Sequence, residues 1–168
     1  MKRLIALAAV GSLALGGVLL LAHPHFNKTI TVALPGGGEA TIIYNTTPAN
    51  ELRAAKVAVG EFVTPRQPRL KLSTEIKAGT VTIPAGEYII GVIKNGEKDW
   101  TMALYPGQIA RGEKPDVSKV IKLDSVYSES EGKAPHMLID ISPGSGKFEG
   151  KAVLTLHFGS LFLAGAIS

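Results

Sequence analysis

Residues 87–105 read Glu87-Tyr88-Ile89-Ile90-Gly91-Val92-Ile93-Lys94-Asn95-Gly96-Glu97-Lys98-Asp99-Trp100-Thr101-Met102-Ala103-Leu104-Tyr105. This stretch sets the fold class. Residues 87–94 are rich in β-branched side chains, which fit a pleated, half-buried surface. Asn95-Gly96 is a strong hairpin signal, because both residues tolerate the positive φ of a tight two-residue turn. Residues 100–105 then alternate, with Trp100, Met102 and Leu104 on one face. Two antiparallel strands joined at Asn95-Gly96 are predicted.

The same grammar extends outward. Residues 28–34 set Ile30, Val32 and Leu34 against Thr29, Thr31 and Ala33; Pro35-Gly36-Gly37-Gly38 turns the chain, and residues 40–46 return. Strands are predicted at 69–74, 80–83, 120–127, 136–142 and 151–158, with 161–167 as a final edge segment. Pro65 and Pro68 make 61–68 a loop. The one helix candidate is 49–57, with Thr47 as N-cap, Pro48 as first residue and Gly60 as its end. Helical periodicity is absent over any long window, which argues against a parallel α/β fold. About nine short strands with at most one short helix predict an all-β, antiparallel β-sandwich.

The N-terminus is of another kind. Lys2 and Arg3 precede nineteen residues, 4–22, without a charge. A basic start followed by an apolar run is the layout of an export signal. As a helix the run would reach about 28 Å, close to the roughly 30 Å of a bilayer core. Residues 1–22 are therefore expected to be a cleaved signal peptide or an N-terminal anchor. Leu20 and Ala22 mark one cleavage position, Ala14 and Gly16 an earlier one. Residues 23–168 form a single domain on the extracytoplasmic side, periplasmic or secreted, touching a membrane only through 1–22 if these stay attached.

Charge and cysteine content exclude several classes. The net charge of +4 falls to +2 without Lys2 and Arg3, leaving 16 basic against 14 acidic residues. That is no basis for a nucleic-acid partner. The chain has no cysteine, so disulfides, thiolate metal sites and cysteine nucleophiles are excluded.

Ile83-Pro84-Ala85-Gly86-Glu87-Tyr88, a strand, a tight turn and Asp99-Trp100-Thr101-Met102 resemble the "LPAG-x-Y … (D/E)-W" core of domain of unknown function family 2911, mostly exported bacterial proteins. Ala152-Val153-Leu154-Thr155-Leu156-His157-Phe158 is similar to that family's closing strand. The resemblance runs from about residue 29 to 167 and implies export and a β-rich fold, with no reaction attached. A segment of the type WRTGANEAT precedes the core in that family. Here the region reads Pro68-Arg69-Leu70-Lys71-Leu72-Ser73-Thr74 instead, so any activity carried by that segment is not expected here.

The four histidines are the residues most suited to ligating chemistry. A cut after Ala22 would put a free amine on His23, two residues from His25, a nitrogen set that favours Cu(II). Pro24 between them lacks the amide that usually joins such a site. His136 and His157 fall on the non-core faces of two strands. If Met137 pairs with Leu156, and Ile139 with Leu154, then His136 lies across from His157, roughly 5 Å apart at Cβ. A slip of two residues separates them. A copper or zinc site using His23, His25, His136 and His157 is thus one alternative; solvated surface histidines are the other.

Other patterns point away from catalysis. Gly144-Ser145-Gly146-Lys147 lacks the Ser/Thr and upstream glycine of a phosphate loop and reads as a hairpin loop. Arg66, Arg69, Lys71 and Lys77 lack interleaved aromatics and read as a solvated face. The expectation is an exported domain of the bacterial cell envelope, non-catalytic, that binds an envelope ligand or protein or serves a structural role. Two alternatives stand beside it: the copper or zinc protein, and an envelope hydrolase with a pocket around Tyr88, Trp100 and Tyr105.

Overall fold

The computed structural model describes residues 26–129 and 131–168. The segment 1–22, His23 and His25 lie outside the described residues. In chain order the elements are β1 (Asn27–Ala33), β2 (Glu39–Asn45), α1 (Glu51–Ala55), β3 (Phe62–Val63), β4 (Arg69–Leu72), β5 (Ile76–Ala78), β6 (Val81–Ile83), β7 (Gly86–Gly96), β8 (Asp99–Pro106), β9 (Ile121–Lys122), β10 (Ser125–Ser128), β11 (Ala134–Pro143), β12 (Ala152–Gly159) and β13 (Leu161–Ile167). The described residues are all-β and antiparallel with one short α-helix, as the sequence predicts. One sheet runs β1-β2-β4-β7-β8-β9, with β3 also paired to β7. A second runs β10-β13-β12-β11, and β5 pairs with β6.

The two larger sheets contribute to one core. Ile42, Leu70, Ile90, Met102 and Leu104 come from the first, and Met137, Ile139, Leu154, Leu156 and Leu163 from the second. Each such side chain contributes about 1.5–3 kcal/mol on burial. The β7–β8 register pairs Ile90 with Leu104, Val92 with Met102 and Lys94 with Trp100. The other face of this hairpin is buried too. Ile89, Ile93, Ala103 and Tyr105 are covered by Phe62 of β3, whose ring lies 6.1 Å from that of Tyr105. This double burial explains why residues 89–93 do not alternate. Gly91 lies directly beneath β3, so close that a Cβ would stand 2.5 Å from the Phe62 ring.

Several boundaries differ from the sequence reading. The β7–β8 turn is Glu97-Lys98, because Gly96 pairs with Asp99 and Asn95 bulges out. The Asn95 amide then donates to Thr101 Oγ1 at 2.7 Å. The expected strand 120–127 is two strands in different sheets. Ile121 pairs with Leu104, whereas Ser125 pairs with Gly165. At the crossing, Leu123 N donates to Met102 O at 2.9 Å, and Met102 N donates to Ser125 Oγ at 2.9 Å. The strand β13 is no edge: it lies between β10 and β12.

The helix starts later than Thr47-Pro48 predicts, because residues 47–49 are used otherwise. Met137 N donates to Thr47 O at 2.7 Å and Ala49 N to Pro135 O at 2.9 Å. Those bonds join the first sheet's chain to β11 and hold Thr47–Ala49 extended. Asn50 becomes the N-cap, its Oδ1 accepting from Arg53 N at 2.9 Å, the expected job of an Asn at that position.

A candidate binding pocket under the short helix

A helix of five residues cannot hold itself together in water, so α1 persists through its attachments. At its start, Glu51 Oε1 accepts from Ser160 N, in the β12–β13 turn, at 2.7 Å. Gly159 makes room for this: its φ is 63°, and a Cβ there would come within 2.6 Å of Glu51 Oε1. At its end, Lys94 reaches from β7. Its Nζ donates to Ala55 O at 2.9 Å and to Val57 O at 3.0 Å, and it stands 5.6 Å from the centroid of the Trp100 ring. Lys94 is only 6% exposed. A cation capping the carbonyl end of a helix opposes its dipole favourably. The helix is thereby tied at one end to the second sheet and at the other to the first.

Beneath this strap is a pocket of about 410 Å³, within the roughly 300–1,000 Å³ of small-molecule sites. Val92 and Trp100 wall it from the first sheet; Leu156, Phe158, Leu161 and Leu163 from the second; Ala54 and Val57 from the strap. Its polar lining is Thr47, Asn50 and Thr64, with Arg53 and Arg66. Both arginines are exposed. The segment carrying Arg66 is fixed in place. Thr64 Oγ1 donates to Ile90 O at 2.9 Å, and Gln67 Nε2 donates to Ile109 O at 3.0 Å. Arg66 and Gln67 both have positive φ, 59° and 46°. Such backbone costs of order 1–3 kcal/mol per residue and clusters at functional sites.

A smaller pocket of about 280 Å³ lies across Ala54, Trp100 and Leu161 from the first. It is lined by charges of both signs, Glu51, Glu97 and Glu129 with Lys94 and Lys98. Tyr127 OH donates to Glu129 Oε1 at 2.7 Å. Burial, and then the Glu129 carboxylate, push the phenol's pKa well above its ordinary value.

The sequence candidates fall elsewhere. Ile139 pairs with Leu156 and Ile141 with Leu154, two residues from the register that would oppose the histidines. His157 therefore faces Leu138, and His136 sits in a bulge where β11 takes four steps, Ala134 to Leu138, against two on β12. The bulge arises because β11 also pairs with residues 47–49, His136 bridging to Pro48. His157 packs edge-on to Phe162, ring centroids 5.4 Å apart. Among the described residues, no three His, Asp or Glu side chains are grouped to hold a metal ion.

Nor do Tyr88, Trp100 and Tyr105 share a pocket. Tyr88 faces the inner core and donates to Pro84 O at 2.8 Å, closing the Pro-Ala-Gly turn. Tyr105 is on the outer face. Of the basic series, Arg66 alone lines the pocket, while Arg69, Lys71 and Lys77 are exposed on strands. Lys94 was detectable in the sequence: it follows Tyr88, Ile90 and Val92 on the inward-facing alternation.

No family model, curated protein or solved structure matches this chain.

The Glu51 anchor makes a pH-dependent contribution. The Ser160 amide and hydroxyl, with Lys133 Nζ 3.8 Å away, hold its carboxyl below the ordinary glutamate value. A depressed folded-state pKa stabilises above the unfolded value and loses that effect as pH falls through the folded one. Glu51→Gln should thus lower the urea midpoint at neutral pH. The gap from the parent protein should close below the ordinary glutamate range. A gap constant from neutral to acid pH would deny Glu51 this role.

Proposed function

We propose that this chain is an extracytoplasmic, non-catalytic binding domain whose site is the apolar pocket beneath α1. The single observation behind this reading is that both sheets leave apolar side chains, Trp100 among them, lining an open space of about 410 Å³. Close packing normally removes such space from a domain interior. Here the space is bridged by a strap held at both ends, a construction suited to receiving a molecule. The export signal read at residues 1–22 and the likeness of the Pro84–Tyr88 and Asp99–Met102 motifs to family 2911 support an envelope location.

A neutral apolar fluorophore such as phenylnaphthylamine tests the reading. It should bind saturably, and excitation of Trp100, the chain's one tryptophan, should transfer energy to it. Val57→Phe, which enlarges a side chain lining the pocket, should weaken binding and lower both signals while leaving circular dichroism unchanged. An affinity unchanged by Val57→Phe would place the apolar site elsewhere. An absence of binding to the parent protein would end the reading.

A further inference from the structure

Resting on that reading of the pocket, we infer that its ligand is a single-chain amphiphile with an anionic head, a carboxylate or a phosphate, seated tail inward between the sheets. The side chains that the two sheets contribute are aliphatic and aromatic, which suits a hydrocarbon tail. The charged side chains of the lining are Arg53 on α1 and Arg66 in the loop before β4. No residue lining the pocket is acidic. Among the described residues, neither guanidinium has a carboxylate within ion-pair distance. Two arginines beside an apolar cavity, both lacking a carboxylate partner, set a positive potential where a ligand's head would emerge. The planar guanidinium fork matches a carboxylate or phosphate.

The position of Arg66 strengthens the assignment. Its left-handed backbone is maintained at a cost, with Thr64 and Gln67 hydrogen-bonded on either side of it. The neighbouring smaller pocket is the internal contrast. It mixes three glutamates with two lysines, so it lacks the bias toward one sign that the larger pocket has.

Laurate, dodecyl phosphate, dodecanol and dodecyltrimethylammonium, each below its micelle concentration, share one tail and differ in head. Binding is read from Trp100 fluorescence. Laurate and dodecyl phosphate should bind at least tenfold more tightly than dodecanol, and the cationic amphiphile more weakly than dodecanol. Arg53→Gln and Arg66→Gln should each weaken laurate by about tenfold, the size of one charge-assisted hydrogen bond, and leave dodecanol unchanged. Equal affinity for dodecanol and laurate would overturn the head assignment while the pocket reading stands. Laurate binding unaffected by both substitutions would overturn it likewise. No binding of any of the four would remove both.

Discussion

Replacing Gly91 by Val is expected to cost about 3 kcal/mol or more of folding stability. A Cβ at this position would lie 2.5 Å from Phe62 Cζ and 2.6 Å from the backbone oxygen of Val63. Both distances are too short for real atoms, and one of the neighbours is main chain. Strand β3 has only two residues on β7, Phe62 against Ile93 and Val63 against Val92, so it is the part that must leave. Phe62 would then uncover Ile89, Ile93, Ala103 and Tyr105. The better strand propensity of Val, at most about 1 kcal/mol, does not offset that loss. The urea midpoint measures the effect. In a Phe62→Ala background the same substitution should cost less, because part of the clash is gone. An unchanged midpoint for Gly91→Val would mean that β3 is not held against Gly91 in solution.

Lys94→Met should destabilise by about 2 kcal/mol and release the helix first. Methionine keeps an apolar stem of similar reach, so the packing on Trp100 is largely retained. What disappears is the ammonium donating to Ala55 O and Val57 O and its attraction to the indole face. Two opposing terms decide the sign. Desolvating an ammonium is costly, and its removal relieves that cost. Against this, the carbonyls of Ala55 and Val57 at the end of a short helix lose the donor that ties them to the first sheet. The second term is expected to win. Hydrogen exchange should show residues 53–61 losing protection while the β7–β8 ladder keeps it. A variant as stable as its parent, with α1 equally protected, would show that the helix needs no cationic cap.

Much of the fold was legible because alternation is a direct record of one-sided burial. Trp100, Met102 and Leu104 face the core as their spacing implies, and so do Met137, Ile139 and Ile141. The failures share a cause. Alternation says which face is buried and is silent about which sheet a strand joins. It therefore passed unbroken through Leu123–Asp124, where the chain changes sheets, and it fixed the faces of β11 and β12 but not their register. The helix lies within the expected 49–57 but starts later than its apparent cap, because the backbone of Thr47 and Pro48 serves β11. The pocket was the least legible feature. Its walls come from residues 47 to 163, and no local pattern links side chains so far apart in the chain. Lys94 could have been flagged, since a lysine in step with Tyr88, Ile90 and Val92 needs a buried partner.

The partition of the sheets bears on how the chain is made. Every strand of the seven-stranded sheet lies in residues 27–122, and every strand of the four-stranded one in residues 125–167. A ribosome or translocon thus delivers one complete layer before any of the other. Until the later residues emerge, Ile42, Leu70, Ile90, Met102 and Leu104 belong to a sheet with no cover on its oily side. The nascent chain thus passes through an interval in which that apolar surface has no partner, and its length is set by the rate at which residues 125–167 are made.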